Sequence, residues 1–412
     1  MRAHRVLMTS TGLLLVACST ETVPPPPPPP TGPLQPVAVR EAGPDIVTEK
    51  EKALPALYAK VLSSPTPDGG TRFGQLVPLL NPDLAQFSFP GLPPASEPDG
   101  IVAAHQKLFG GFDDRRMLLS RVWRTPNEQT IEWTMTGKHA REWMGIAATQ
   151  KPVAFKGVTL MWTKDDGSII DIHDYFDVDL LKAQLSGVGP KELLAAAQPA
   201  PPVGPPAVFE RTQTGTPDEA GNAALVKHSL DALENNKEAD YLGSFADDVE
   251  IHTLERTEPA RGKDAVKAYY RGMHKVVGQL DTTINNEWGV AQFAIVEYSI
   301  AGEQLGAIGW IPAQRDQVIK FQLVDVCEIA NGKIARVWRY DNPGQAAPGG
   351  IDAPLPATMA ASTTADAPLP ATPMRLPTAA PAASATPAST APAHATSHAA
   401  PSTKPRKRGT TK

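Results

Sequence analysis

Asp325 is the residue of this sequence best placed for acid–base chemistry. Alternation along Lys320 to Ile329 puts Phe321, Leu323, Cys327 and Ile329 on its face of a predicted strand. Its carboxylate is therefore expected among apolar side chains, where desolvation raises the pKa toward the range of a general base. His139 is the second candidate, because an imidazole exchanges a proton near neutral pH. Trp123, His173, Tyr175, His252, Trp288, Trp338 and Tyr340 are the candidates to line a pocket around them. Each has a plainer reading: Asp325 pairs with a basic neighbour, His139 caps a strand end, and repeated aromatics form core. Glu132 and Glu297 are expected on an outer face in at least one domain. No Cys/His cluster has zinc spacing, so no metal is expected.

The elements that position these groups come twice. Gly137, Ile146, Ala148, Val153, Gly167, Ile169 and Tyr175 recur 165 positions later as Gly302, Ile311, Ala313, Val318, Gly332, Ile334 and Tyr340. The same offset, carried backward without a gap, sets Asp83 on Asp248, Trp123 on Trp288 and Glu132 on Glu297, and places Leu160 opposite Asp325. Internal repetition over such a length indicates two similar domains, residues 46–194 and 218–343. Helices come first in each: Glu49 to Leu62, interrupted in propensity by Pro55, and Asp218 to about Asn236 behind a Thr216-Pro217-Asp218-Glu219 capping box. A helix from Gly262 to His274 presents Val266, Tyr269, Tyr270 and Met273 on one face, and its counterpart turns Ile101, Ala104, His105 and Leu108 inward. Strands follow at Arg121–Val122, Thr130–Gly137, Val153–Thr163 and Ser168–Phe176, and at Glu287–Ile300, Val318–Ile329 and Lys333–Tyr340. Helices followed by consecutive antiparallel strands predict an α+β class: two cone-shaped domains, each a curved sheet wrapped over N-terminal helices.

The Phe245-Ala246-Asp247-Asp248-Val249 stretch, Gly137-Lys138-His139, Met144 to Thr149, and Gly167-Ser168-Ile169-Ile170 with His173-Asp174-Tyr175-Phe176-Asp177 resemble SnoaL-like polyketide cyclases of the nuclear-transport-factor-2-like superfamily. The resemblance implies a cavity for a small, largely apolar molecule. In catalytic members it implies proton abstraction next to a carbonyl by a buried carboxylate, with a donor for the enolate oxygen and no metal or organic cofactor. His139 matches the family's Gly-x-His motif, but the second module has Gln304 there, and Asp325 lies where the pattern often has an aspartate. The polar equipment is thus divided between the modules, which favours binding over catalysis.

The chain has 412 residues, 43 prolines, two cysteines and a net charge of -5, which gives no reason to expect nucleic acid. Arg2 and Arg5, the apolar run Val6 to Val16, and Leu15-Val16-Ala17-Cys18 resemble a bacterial lipoprotein signal, implying cleavage before Cys18, its lipidation, and a membrane anchor in the envelope, with Ser19 favouring the outer membrane. Once Cys18 is lipidated, Cys327 has no disulfide partner. Residues 19–45, with seven prolines from Pro24 to Pro30, are expected to form an extended spacer, and residues 195–217 a mobile linker. Residues 344–412, rich in Ala, Pro and Thr, are expected to be disordered. Their end, Lys404 to Arg408 with Lys412, is a basic patch suited to anionic envelope polymer.

Three functions follow: an envelope protein binding a small apolar or carbonyl-bearing molecule, a cyclase or isomerase working through Asp325 or His139, or an adaptor whose domains pair through their sheets or form a homodimer.

Overall fold

The computed structural model describes residues 47–63, 71–189, 193–194, 208–314, 317–347 and 349–355. Cys18, the prolines at 24–30, the linker at 195–207 and the basic end at 404–412 lie outside these.

The first module opens with α1 (Glu49–Leu62), started by a capping box in which Thr48 Oγ1 accepts from the Glu51 amide at 3.2 Å and Glu51 Oε2 from the Thr48 amide at 2.7 Å. The helix continues through Pro55. A proline cannot donate to the carbonyl four residues back, and here Gln129 Nε2 takes over, donating to the Glu51 carbonyl at 2.9 Å. After α1 come β1 (Gln86–Ser88), β2 (Ala95–Ser96), α2 (Pro98–Phe109), β3 (Phe112–Thr125), β4 (Glu128–His139), β5 (Pro152–Thr163), β6 (Ile169–Tyr175) and α3 (Val178–Ser186). A short β7 (Phe209–Thr212) leads to the second module: α4 (Pro217–Glu234), α5 (Glu238–Gly243), β8 (Phe245–His252), β9 (Ala260–Arg261), α6 (Gly262–Val276), β10 (Val277–Val290), β11 (Phe293–Gln304), β12 (Val318–Ala330) and β13 (Lys333–Asp341).

The sheets run β2-β1-β6-β5-β4-β3-β7 and β10-β11-β12-β13-β8-β9. Their pairs are antiparallel except β1 on β6, β8 on β13 and β7 on β3. This is the α+β plan that the helix-then-strand order predicts. The predicted single strand Glu287–Ile300 is instead the hairpin of β10 and β11, turning at Ala291, whose φ is +51°.

The constant offset of the repeat needs correction. It holds through β3/β10 and β4/β11, and again in β6/β13, but not in β5/β12. Glu132 pairs with Val158 and Glu297 with Val324, so the loop before β12 has one residue more than its counterpart. The following hairpin has one fewer, since Thr163 pairs with Ile169 and Ile329 with Ile334. The structural counterpart of Asp325 is therefore Thr159, not Leu160. In a strand, one position is the difference between the two faces of the sheet.

The described residues form one compact unit, in which the sheets pack through the faces turned away from their own helices. Trp123, Val158, Leu160 and Tyr175 of the first sheet meet Trp288, Phe293, Ile295, Val324, Val326 and Tyr340 of the second in one buried cluster. The expected mobile linker is overturned where it is described: Phe209–Thr212 extends the first sheet along Arg121–Arg124, and the Phe209 ring lies 5.7 Å from that of Phe293. A disordered tail starting at residue 344 is likewise overturned over its first part. Residues 343–346 and 350–352 form 3-10 turns, and Ile351 is buried in the core of the first module.

Candidate functional site

Inside the first cone, five buried side chains from five elements converge. Tyr58 of α1, His105 of α2 and Asp174 of β6 are each fully buried, as is Thr159 of β5, with Trp133 of β4 next to them. The Tyr58 hydroxyl lies 2.9 Å from His105 Nε2 and 3.1 Å from Asp174 Oδ2. Thr159 donates to Asp174 Oδ1 at 2.5 Å, and Trp133 Nε1 donates to Thr159 at 2.9 Å. His105 Nδ1 is 2.8 Å from the Ile101 carbonyl, which can only accept, so Nδ1 carries a proton and Nε2 presents its lone pair in the neutral ring.

Counting donors then fixes one proton. Tyr58 has a single hydroxyl hydrogen, and His105 Nε2 and Asp174 Oδ2 both need one. If Asp174 is protonated it donates to the Tyr58 oxygen, and Tyr58 donates to His105; every polar atom is then matched. Moving the proton along the same line gives a carboxylate and an imidazolium. Electrostatics favours the neutral arrangement: burial raises Asp174 to about 6 against the opposing bonds from Thr159 and Tyr58, and burial lowers His105 to about 4. The result is a proton relay, Asp174 to Tyr58 to His105, walled by Phe87, Phe109 and Trp133.

The second cone puts a salt bridge at the same place. Asp325, counterpart of Thr159, is on the inner face as predicted, but Arg339, counterpart of Asp174, clasps it: Arg339 Nε to Asp325 Oδ1 is 2.8 Å and Nη2 to Oδ2 is 2.7 Å. Tyr298 adds a bond to Oδ2 at 2.9 Å, and the guanidinium lies 4.3 Å from the Tyr269 ring centre. The expectation of a lone carboxylate among apolar side chains is corrected, since Arg339 is the basic neighbour. Beside this pair is a cavity of about 20 Å³, lined by Leu230, Tyr241, Tyr269, Tyr298, Cys327 and Val337 among others, enough for about one water molecule.

His139 holds a loop. Its Nδ1 accepts from the Thr149 amide at 3.2 Å, and its own amide donates to the Lys151 carbonyl at 2.9 Å. Burial and the nearby Lys151 charge lower its pKa. Gln304 does the same work in the second module, where Nε2 reaches the carbonyls of Gly306 and Pro312 at 3.1 Å. The Gly-x-His match thus marks a loop clamp at a strand end.

Six of the seven predicted pocket residues, Trp123, His173, Tyr175, Trp288, Trp338 and Tyr340, sit between the sheets rather than in either cone. The physical reason is that both faces of these strands are apolar, so alternation alone does not say which faces the helices. Glu132 and Glu297 lie on this outer face, and both are buried. Tyr340 donates to Glu132 at 2.7 Å, Arg121 Nη2 donates to the same carboxylate at 2.6 Å, and the Arg121 guanidinium lies 3.7 Å from the Trp338 ring centre. On the other side Glu297 accepts from Tyr175 at 2.5 Å, from His173 Nδ1 at 2.6 Å and from Asn286. Burial alone would lower His173, but Glu297 and Asp171 lift it to about 10, so the ring is an imidazolium. His252 stacks on Trp338 with ring centres 5.3 Å apart, at the edge of this interface. The sequence does carry a signal for the relay: Ile172, Asp174 and Phe176 alternate on one face, and Asp174 recurs as Arg339, a charge reversal at a repeated position.

Two cones back to back, each with a polar centre where its sheet faces its helices, define the class. A family model described as SnoaL-like polyketide cyclase matches residues 75–185, and one described as SnoaL-like domain matches residues 226–337. The chain thus belongs to the SnoaL-like proteins of nuclear-transport-factor-2-like fold, with two such domains in tandem. Similar solved structures include a protein from Jannaschia sp. CCS1 assigned as a SnoaL-like polyketide cyclase (17% identity, 40% of this chain, 99% of that one, TM-score 0.31). An LEH-like epoxide hydrolase of M. tuberculosis is also similar (18%, 33% and 92%, TM-score 0.27). So is a protein of ketosteroid isomerase-like fold from Catenulispora acidiphila in complex with trimethylamine (11%, 30% and 88%, TM-score 0.26). No curated protein matches the chain.

Proposed function

We propose that this is a lipid-anchored envelope protein, tethered through Cys18, whose first module binds a small, largely apolar molecule carrying a carbonyl or hydroxyl group. The observation that carries the reading is the sealed relay of Asp174, Tyr58 and His105. An aromatic cone supplies the apolar contact, and a carboxyl raised to about 6 exchanges between protonated donor and ionised acceptor near that pH, so it can donate to a carbonyl or accept from a hydroxyl. The second module, whose polar centre is neutralised by its own arginine, acts as the structural partner through the inter-sheet face. The basic end at 404–412 then serves as a contact to anionic envelope polymer.

A catalytic reading is favoured by one specific feature. A buried carboxyl lifted to about 6, connected through a hydroxyl to an imidazole, is equipped to take a proton from a carbon next to a carbonyl and return it elsewhere, as an isomerase or cyclase does. Native mass spectrometry of the protein purified gently from its natural host tests the binding reading. A small molecule released on denaturation and lost in a Phe87→Asp variant is expected; a chain that is folded and empty in every preparation refutes it.

A further inference from the structure

The segment after the second sheet touches its own module at Gln345, whose side chain bonds the Gln322 amide and carbonyl at 2.8 and 2.9 Å, and then runs on to the other module. In the first repeat the chain leaves β6 and forms α3, which inserts Val178, Leu181 and Leu185 into the core of its own cone. The segment at the same position of the second repeat crosses to the first module. Asn342 Nδ2 donates to the Pro90 carbonyl at 3.3 Å, and Ile351, fully buried, joins the cluster that contains Phe87, Phe89, Phe109 and Trp133. A β-carbon added at Gly91, where φ is +89°, would stand 2.7 Å from Ile351 Cγ2, so the loop after β1 is shaped to receive that side chain.

We infer that Gly349–Leu355 is a gate over the first cone, with Ile351 as its latch. This rests on the first module being the one that binds. The gate's hinge would be Gly349 and Gly350, whose φ of +93° and +59° is a conformation glycine adopts without penalty. The fastening is light compared with α3. It consists of buried Ile351, half-buried Leu355 against Leu180 and Ala183, the close seat of Gly350 on the Gly91 carbonyl, bonds from Lys182 Nζ to the carbonyls of Ile351 and Ala353, and an ion pair between Lys107 and Asp352 at 2.8 Å, both of whose side chains are about half exposed. Exposed ion pairs add little, and a 3-10 turn this short has few bonds of its own. Such a segment opens at a small fraction of the free energy of global unfolding. Inside the latch lies the path Phe89, Phe176, Trp133: the ring centres of Phe89 and Phe176 are 4.8 Å apart, those of Trp133 and Phe176 are 6.0 Å apart, and Trp133 donates to Thr159 of the relay network. Withdrawal of Ile351 opens the apolar core on the side of the β1 loop, and a ligand of aliphatic character takes its place. The ligand class is accordingly narrowed to molecules with a branched or cyclic aliphatic end and a polar group at the other.

The test uses the full chain and its Ile351→Asp variant, with Ile351→Val as the control that keeps the latch. Hydrogen exchange is followed at residues 349–355, at Phe87–Leu92 and at β11 to β13, and binding of the probe anilinonaphthalene sulfonate is titrated alongside. The expectation is that the gate exchanges before the sheets do. Ile351→Asp should raise exchange at Phe87–Leu92 and probe affinity by roughly tenfold each while β11 to β13 are unchanged, and Ile351→Val should do neither. Gate amides that exchange only as slowly as β4 and β5 would overturn the gate and leave the binding reading standing. Local opening without any gain in probe binding would sink the binding reading, and with it the gate's purpose.

Discussion

Tyr175 donates to Glu297 across the boundary between the modules at 2.5 Å, and its repeat counterpart Tyr340 donates back to Glu132 at 2.7 Å. The two bonds join residues at matching positions of the repeat, but their surroundings differ. Glu132 is balanced by Arg121 of its own module, whereas Glu297 is balanced by His173 of the other. The second bond system therefore ties the modules by charge as well as by shape.

Removing either hydroxyl leaves a buried carboxylate one donor short. Tyr175→Phe and Tyr340→Phe should each cost about 1–3 kcal/mol in urea unfolding. Glu297→Gln should in addition bring the His173 titration down from its raised position, which histidine resonances in NMR would report. A His173 that still titrates high in that variant would show that the carboxylate is not its main partner.

Stability should be greatest on the acid side of neutrality and fall by pH 9. Burial lifts Glu255 to about 8 and Asp341 to about 6, and carries Asp177 up as well. Acids whose folded pKa is raised contribute stability that is complete below their unfolded values and is lost as the pH rises through the folded ones. His105, lowered to about 4, works in the opposite sense, and its contribution is lost as the pH falls through that value. His173, raised to about 10, contributes in full below its unfolded value and loses that contribution progressively as the pH rises toward 10. Melting curves from pH 4 to 9 should trace this profile, and Glu255→Gln should flatten its alkaline side.

Asp174→Asn imitates the neutral acid, because an amide can donate to the Tyr58 oxygen and still accept from Thr159. The variant should match the parent in melting temperature near pH 5 and exceed it at pH 8, while losing any proton transfer through the relay. Loss of stability at both pH values would show that the carboxyl is ionised in the folded protein.

Breaking the pair in the second cone should be severe and repairable. Arg339→Met leaves Asp325 buried and unpaired and should cost about 3–5 kcal/mol; joining it with Asp325→Leu should recover most of that. If ligand release by the parent also survives in the double variant, the second cone has no part in binding.

Much of the fold could be read from residues alone, because its signals are local. The capping box at Thr216 and the inward face of α6 depend on neighbours within a few positions, and the repeat needs only the comparison of the chain with itself. What could not be read depends on partners far away. No local pattern distinguishes the outer face carrying Trp123 and Trp288 from the inner one carrying Trp133, since both are apolar and only the second module decides which is which. Asp325 looked isolated because Arg339 lies on the next strand. The slip in β12 was hidden because an extra residue in one loop and a missing one in the next turn cancel, so the glycines at either end still align.

Ile351 completes a core whose other buried members end at Leu185. The first module is therefore unfinished until almost the whole of the second has been made, and a chain emerging stepwise from its N-terminus holds it in an incomplete state while the second is being synthesised. Contacts this distant along the chain also slow folding, since the intervening loop must be ordered before they form. The protein should fold as one cooperative body rather than as two beads in succession.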